Sequence, residues 1–329
     1  MQQPWRMILE EYISYITNVR RYSSRTCELY SDILKEFIAF TEATSDADIL
    51  ASLNSSILRS YEVHLLDTKQ EDPRTVNLHL SVLSGLCRYL MKDGRLKSNP
   101  VRLVTRPKLE KRLPVFYRDD SMEEYFSRTQ PDASKENLAL ITGGDKVSKE
   151  LYSKRLSRLI VSMLYSTGMR RSELTGLTRK DLDLSRKVLR VRGKGDKVRE
   201  IPLVPSLCEE ISLYLQSVET MEGCGRPSSD PLLVTPNGGK LYPVFVDRVV
   251  KSELGQVSGI TGRKSPHVLR HSLATGLLNE GADLNSIKEM LGHSSLAATQ
   301  VYTHNSIEKL KKVYVNAHPR AKSGGKNGD

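Results

Sequence analysis

Up to about residue 105 the apolar positions recur with the spacing of amphipathic helices, and no segment alternates as a strand does. Met7 or Ile8, Tyr12, and Tyr15 or Ile16 form a first stripe. Ser23 and Ser24 are candidate N-caps of a second, with Tyr30, Leu34, Phe37 and Ile38 at helical spacing and Phe40 near its end. A third runs from Ser55 to Leu66. The fourth is the clearest: Asp72 can cap it, Pro73 fits its first turn, and Val76, Leu80, Leu83, Cys87 and Leu90 share a face until Gly94. These stripes predict a small helical domain over residues 1–105.

Pro100, Pro107 and Pro114 then interrupt any regular element, and Lys97, Arg102, Arg106, Lys108, Lys111 and Arg112 stand among them. Residues 106–114 read as an extended basic linker, suited equally to lying along a phosphate backbone or to being a solvated tether. A second domain is expected over 115–320, followed by a flexible tail, 321–329. It starts helical, and the polar stretch Thr129 to Lys149, with Gly143-Gly144, reads as a loop. A helix is expected around Ser157 to Leu177. Leu182 to Leu203 alternates in strand fashion on either side of Gly193-Lys194-Gly195-Asp196, which predicts a β-hairpin with Lys194 at its tip. From Pro266 the pattern is helical again, broken at Gly281 and Gly292. A last short amphipathic stretch, Ile307, Leu310 and Tyr314, precedes the tail. The fold class is therefore mainly α with a small antiparallel β-sheet.

Composition narrows the partners. The 329 residues carry 50 Lys and Arg against 39 Asp and Glu, a formal charge of +11, and an excess of this size favours a polyanion. No stretch approaches the ~18 apolar residues of a membrane helix, and the N-terminus lacks the pattern of a signal peptide, so a cytoplasmic protein is expected. Cys27, Cys87, Cys208 and Cys224 are scattered without metal-site spacing and read as reduced, structural residues.

Three segments hold candidate chemistry. On a continuous helix Arg170 would share a face with Leu174 and Leu177 and point inward, whereas Arg171 would turn about 100° away. A buried guanidinium needs an anion, and either the Glu173 carboxylate or a ligand phosphate would serve. In PHVLRHSLATGLL, His267 and Arg270 lie one turn apart, and Arg270 sits on a stripe with Ala274 and Leu277. Two inward arginines and a histidine suit an oxyanion, or they are unrelated groups pairing with scattered carboxylates. In LGHSSLAATQVYTH, His293 follows Gly292, and Tyr302 comes nine positions later. Singly, each of these is an ordinary loop histidine or core tyrosine.

The ordered series Arg170 in TGMRRSEL, Lys194 in GKGDK, His267 and Arg270 in HVLRHS, His293 in LGHSS and Tyr302 in VYTH resembles the active-site series of the tyrosine recombinase (phage integrase) family, above all its Xer type. Arg171, Leu273 and Gly276 depart from the side chains more usual there, without removing a catalytic group. The resemblance implies a two-domain DNA clamp, with a helical SAM-like core-binding domain and an α+β catalytic domain. It implies that Tyr302 is the nucleophile, forming a 3′-phosphotyrosyl intermediate on the way to a Holliday junction. Arg170, Arg270 and His293 would hold the phosphate, Lys194 would protonate the leaving 5′-oxygen, and His267 would take the tyrosine proton. Glu173 would support Arg170. Neither ATP nor a metal is implied, so no cofactor is expected.

The implied partners are double-stranded DNA with inverted half-sites and further copies of the chain, assembled as a tetramer on DNA, alone or with a related recombinase, on the nucleoid and away from membranes. The stripe at Ile307, Leu310 and Tyr314 would dock into a neighbouring protomer, or pack on its own domain. A type IB topoisomerase, which shares the tyrosine chemistry, and a non-catalytic DNA-binding protein on the same scaffold are the competing expectations. With no separate arm-site domain expected, chromosome dimer resolution and DNA inversion are favoured over integration by a mobile element.

Overall fold

In a computed structural model of the protein, residues 6–109, 116–193, 197–222 and 226–292 are described, and the chain divides into two compact units, Met1–Arg112 and Leu113–Asp329. The first has helices and no strand among its described residues. α1 (Arg6–Ser14) runs on through a π-helical turn, Tyr15–Val19, and is followed by α2 (Ser24–Thr41), α3 (Asp46–Ser52), α4 (Ser55–Val63) and α5 (Pro73–Lys92). The expected caps are in place: Ser23 Oγ accepts from the Thr26 N–H and Asp72 from the Thr75 N–H. Ile8, Tyr12, Ile16, Leu34, Phe37, Val76, Leu80, Leu83, Cys87 and Leu90 merge into one core with Leu58 and Tyr61 from α4. Helix α3, seven residues long and capped by Ser45, is too short to display a helical period in the sequence.

The second unit is built around α8 (Lys146–Thr167), against which α10 (Pro205–Glu222), α11 (Pro243–Gly255) and α12 (Pro266–Asn279) pack. From Arg158 to Thr167 every residue of α8 is buried, as a helix enclosed on all sides requires. The polar stretch before it is a loop only over residues 140–145, around Gly143-Gly144. α6 (Asp119–Arg128) leads into a 3-10 turn, Gln130–Ala133, and a short helix, α7 (Lys135–Ala139). Polar side chains fasten this lobe and leave no apolar stripe to read: Arg155 Nη2 donates to Ser134 O at 2.7 Å, Arg158 Nη1 to Phe126 O at 2.8 Å, and Arg158 Nη2 to buried Glu210 at 3.1 Å.

The helix expected over residues 157–177 is two helices. Gly168 ends α8 in the left-handed conformation at φ 61°, and α9 (Arg171–Gly176) begins afresh. A β-carbon on Gly168 would fall 2.5 Å from Leu291 Cδ2 and 3.0 Å from Leu273 Cδ2. Gly168→Ala therefore meets both backbone strain and overpacking, and it is expected to cost about 2–4 kcal/mol, read as a lower urea midpoint at unchanged m-value.

The sheet is small and antiparallel, in the order β1 (Leu182–Asp183), β2 (Val188–Arg192), β3 (Val198–Pro202). Leu189 faces Ile201 and Val191 faces Arg199. These four are buried, whereas Arg190 is exposed and reaches Glu200 on the other face. Beyond the sheet, Gly281 at φ 83° separates α12 from α13 (Leu284–Leu291), and Gly292 at φ 67° caps α13.

Candidate active site

The break after α8 makes Arg170 the N-cap of α9, in extended backbone, φ −74° and ψ 153°. It is not on a helix face, and its side chain is 38% exposed rather than buried. Glu173 is the third residue of α9 and turns back on it: Oε2 accepts from the Arg170 N–H at 2.7 Å and Oε1 from Arg170 Nη1 at 2.8 Å. Arg171, the next residue, is paired with Asp247 of α11.

Sequence reasoning missed a third arginine. Arg199 projects from the core-facing side of β3, 6% exposed, and forks onto the same carboxylate: Nη1 to Oε1 at 3.0 Å and Nη2 to Oε2 at 2.8 Å. Its signal is the strand period. Arg199 is in phase with Ile201 and Leu203, where an arginine among core positions must have a buried partner. Burial by itself raises the pKa of Glu173, but hydrogen bonds from Arg199 and from the Arg170 backbone, with the charge of Arg199, outweigh it and hold the carboxyl below its ordinary value.

Arg270, buried on α12, completes the cluster. Its Nη1 donates to Gly168 O and its Nη2 to Leu291 O, both at 2.6 Å. Desolvation, then the nearby charges of Arg170 and Arg199, bring its pKa down to about 10, with Glu173 opposing. Among the described residues, three guanidinium groups are answered by one carboxylate, an excess of two positive charges that suits an anion.

The three arginines, from three different elements, converge on the end of α13. Arg199 Nε donates to Met290 O at 2.9 Å, Arg270 Nη2 to Leu291 O at 2.6 Å and Arg170 Nη2 to Gly292 O at 3.0 Å. Carbonyls at a helix C-terminus lack intrahelical donors and carry the negative end of the dipole, so cationic donors suit them. In sequence the next residue is His293.

Of the expected site residues, Arg170, Glu173 and Arg270 come together here. His267 lies in the first turn of α12, one turn before Arg270, and is exposed. Lys194, His293 and Tyr302 lie outside the described residues, as does the stretch Ile307, Leu310, Tyr314. Gly193, beside Lys194 in sequence, lies against the cluster: a β-carbon there would be 3.5 Å from Glu173 Oε1 and 3.6 Å from Arg199 Nη1.

Comparison with known proteins agrees over most of the length. Residues 141–309 match the phage integrase family, and residues 9–94 its N-terminal SAM-like domain. The chain is 35% identical over 323 residues to tyrosine recombinase XerC of Chlorobaculum parvum, covering 95% of this chain and 94% of that protein. With XerC of Bacillus subtilis it shares 33% identity over 315 residues, 94% of this chain and 95% of the relative. Its fold is similar to that of the Tn1549 transposon integrase solved with circular intermediate DNA, at a TM-score of 0.63, 21% identity, and coverage of 92% of this chain and 98% of that one. The chain belongs to the phage integrase family and is a tyrosine recombinase, an enzyme that cleaves and rejoins DNA.

Proposed function

We propose that Arg170 and Arg270 bind the non-bridging oxygens of a scissile DNA phosphate and that Tyr302 attacks its phosphorus. The excess of positive charge around Glu173 carries this reading. Attack forms a bond from the tyrosine oxygen to the 3′-phosphate and breaks the bond to the 5′-oxygen. His267 accepts the phenolic proton and Lys194 protonates the departing 5′-oxygen. His293 adds a hydrogen bond to the phosphate. Attack by the 5′-hydroxyl of a partner strand reverses these steps and releases the tyrosine. The number of phosphoester bonds is conserved throughout, so ATP is not consumed. The guanidinium groups stabilise the extra charge of the pentacoordinate transition state, the task a metal clamp performs in many nucleases.

The two expected domains, residues 1–105 and 115–320 with a basic linker between them, would close on duplex DNA bearing inverted half-sites, mostly through salt-sensitive phosphate contacts. The stretch around Ile307, Leu310 and Tyr314 would dock on a neighbouring copy, giving a tetramer that works on the nucleoid in the cytoplasm. Among the described residues no helix is long and apolar enough to cross a membrane. A role in resolving chromosome dimers fits the likeness to XerC proteins.

Genomic fragments recovered with the protein and sequenced would supply the half-sites. A duplex of that sequence, nicked next to the scissile phosphate so that the 5′-hydroxyl fragment diffuses away, should trap a 3′-phosphotyrosyl adduct on the peptide containing residue 302. A two-site plasmid should yield recombinants. Adduct on a different residue, or relaxation of the plasmid without recombinants, would overturn the reading.

A further inference from the structure

Each oxygen of Glu173 serves two donors. Oε1 accepts from Arg170 Nη1 and Arg199 Nη1, and Oε2 from the Arg170 N–H and Arg199 Nη2. The two arginines differ in access: the Arg170 side chain is 38% exposed and that of Arg199 is 6% exposed. Arg170 can reach a ligand, whereas Arg199 lies beneath it with its remaining Nε turned to Met290 O.

We propose that Arg199 is a positioning residue for DNA cleavage, clamping Glu173 from behind so that this carboxylate orients Arg170 toward the scissile phosphate without neutralising it. The inference rests on the reading of Arg170 as a phosphate ligand. Its physical basis is competition. A buried carboxylate beside one arginine prefers the two-point pair, which would draw both Nη groups of Arg170 away from a phosphate. Arg199 supplies that two-point partner instead, leaving Arg170 a single bond to Oε1 and its Nη2 aimed at the end of α13. The second cation also offsets the carboxylate charge, so the site keeps its pull on an anion. The fork is what matters: a lysine at 199 would keep the charge but present a point donor.

The test measures single-turnover cleavage of the nicked duplex at saturating DNA, with either an ordinary scissile phosphodiester or an uncharged methylphosphonate at that position. Arg199→Met should lose on the order of 100-fold on the phosphodiester and less than about tenfold on the methylphosphonate, which has no anionic charge for Arg170 to meet. Its DNA affinity should match wild type, and Arg199→Lys should fall between. Arg170→Ala is the reference and should show the same relief on the methylphosphonate. If Arg170→Ala loses equally on both substrates, the phosphate-ligand reading fails. If Arg170→Ala shows relief but Arg199→Met loses equally on both substrates, or loses nothing, the positioning role is refuted while that reading stands. Should Arg199→Met not fold, Arg199→Lys is judged by the same ratio.

Discussion

Tyr302→Phe and Arg270→Ala are expected to remove covalent capture of DNA, for different reasons. The first deletes the attacking oxygen, so the adduct should be absent at any reaction time while DNA binding persists. The second deletes the more enclosed of the two phosphate donors. Fixed donors aimed at developing charge typically supply a factor of 100 to 1,000 each, and a charged, desolvated one belongs at the upper end, so the rate should fall on the order of 1,000-fold, about 4 kcal/mol of transition-state stabilisation. Stability should fall as well. Removing the guanidinium orphans Gly168 O and Leu291 O, at about 1–3 kcal/mol each. It also relieves the repulsion from Arg170 and Arg199 that lowers the Arg270 pKa. Cleavage assays on the nicked duplex beside urea unfolding separate the two effects. A near-wild-type cleavage rate from variant protein that remains folded would show that Arg270 is only a structural cation.

Glu173→Gln should be the opposite kind of variant, damaging the fold most. The side chain keeps its shape but the one carboxylate that the described residues place among three guanidinium groups disappears, leaving like charges to repel one another. Breaking a buried pair from one side costs about 3–5 kcal/mol, and urea unfolding at neutral pH should show a loss of that order. The pH dependence follows from the depressed pKa of Glu173. A carboxyl lowered on folding contributes its stabilisation fully above its unfolded value, ordinarily 4.5, and loses it as pH falls through the lower folded value. The gap between wild type and Glu173→Gln should therefore be widest at neutral pH and narrow on acidification. A gap independent of pH would mean that the charge of Glu173 is not what stabilises the fold.

Much of this fold was legible because its cores follow simple periods. The stripe Val76, Leu80, Leu83, Cys87 and Leu90 is the buried face of α5, and the alternation around 188–203 is the β2–β3 pair. What the periods hid was polar. The lobe at 129–149 is held by Arg155 and Arg158 reaching back from α8, and such bonds leave no apolar stripe. Arg170 looked inward only because residues 157–177 read as one helix; the left-handed Gly168 resets the phase, and the side chain comes out half exposed. Arg199 escapes notice because Val198, Ile201 and Leu203 are all apolar yet do not share one face of the strand. Phase places Arg199, not Val198, with Ile201. The family resemblance, by contrast, depended on order along the chain and was indifferent to these local errors.

The convergence of three arginines on the end of α13 also limits where this chain can change length. Successive residues of a helix are about 100° apart around its axis, so inserting or deleting one residue within α13 would swing Met290 O, Leu291 O and Gly292 O out of line together. Three donors from β3, α12 and the start of α9 would lose their acceptors in a single event, with no small movement able to restore them all. A residue inserted after Gly292 leaves those bonds untouched. Deletion scanning should accordingly find α13 intolerant in both folding and cleavage, whereas a change after Gly292 should spare the fold and lower cleavage by shifting His293 and Tyr302.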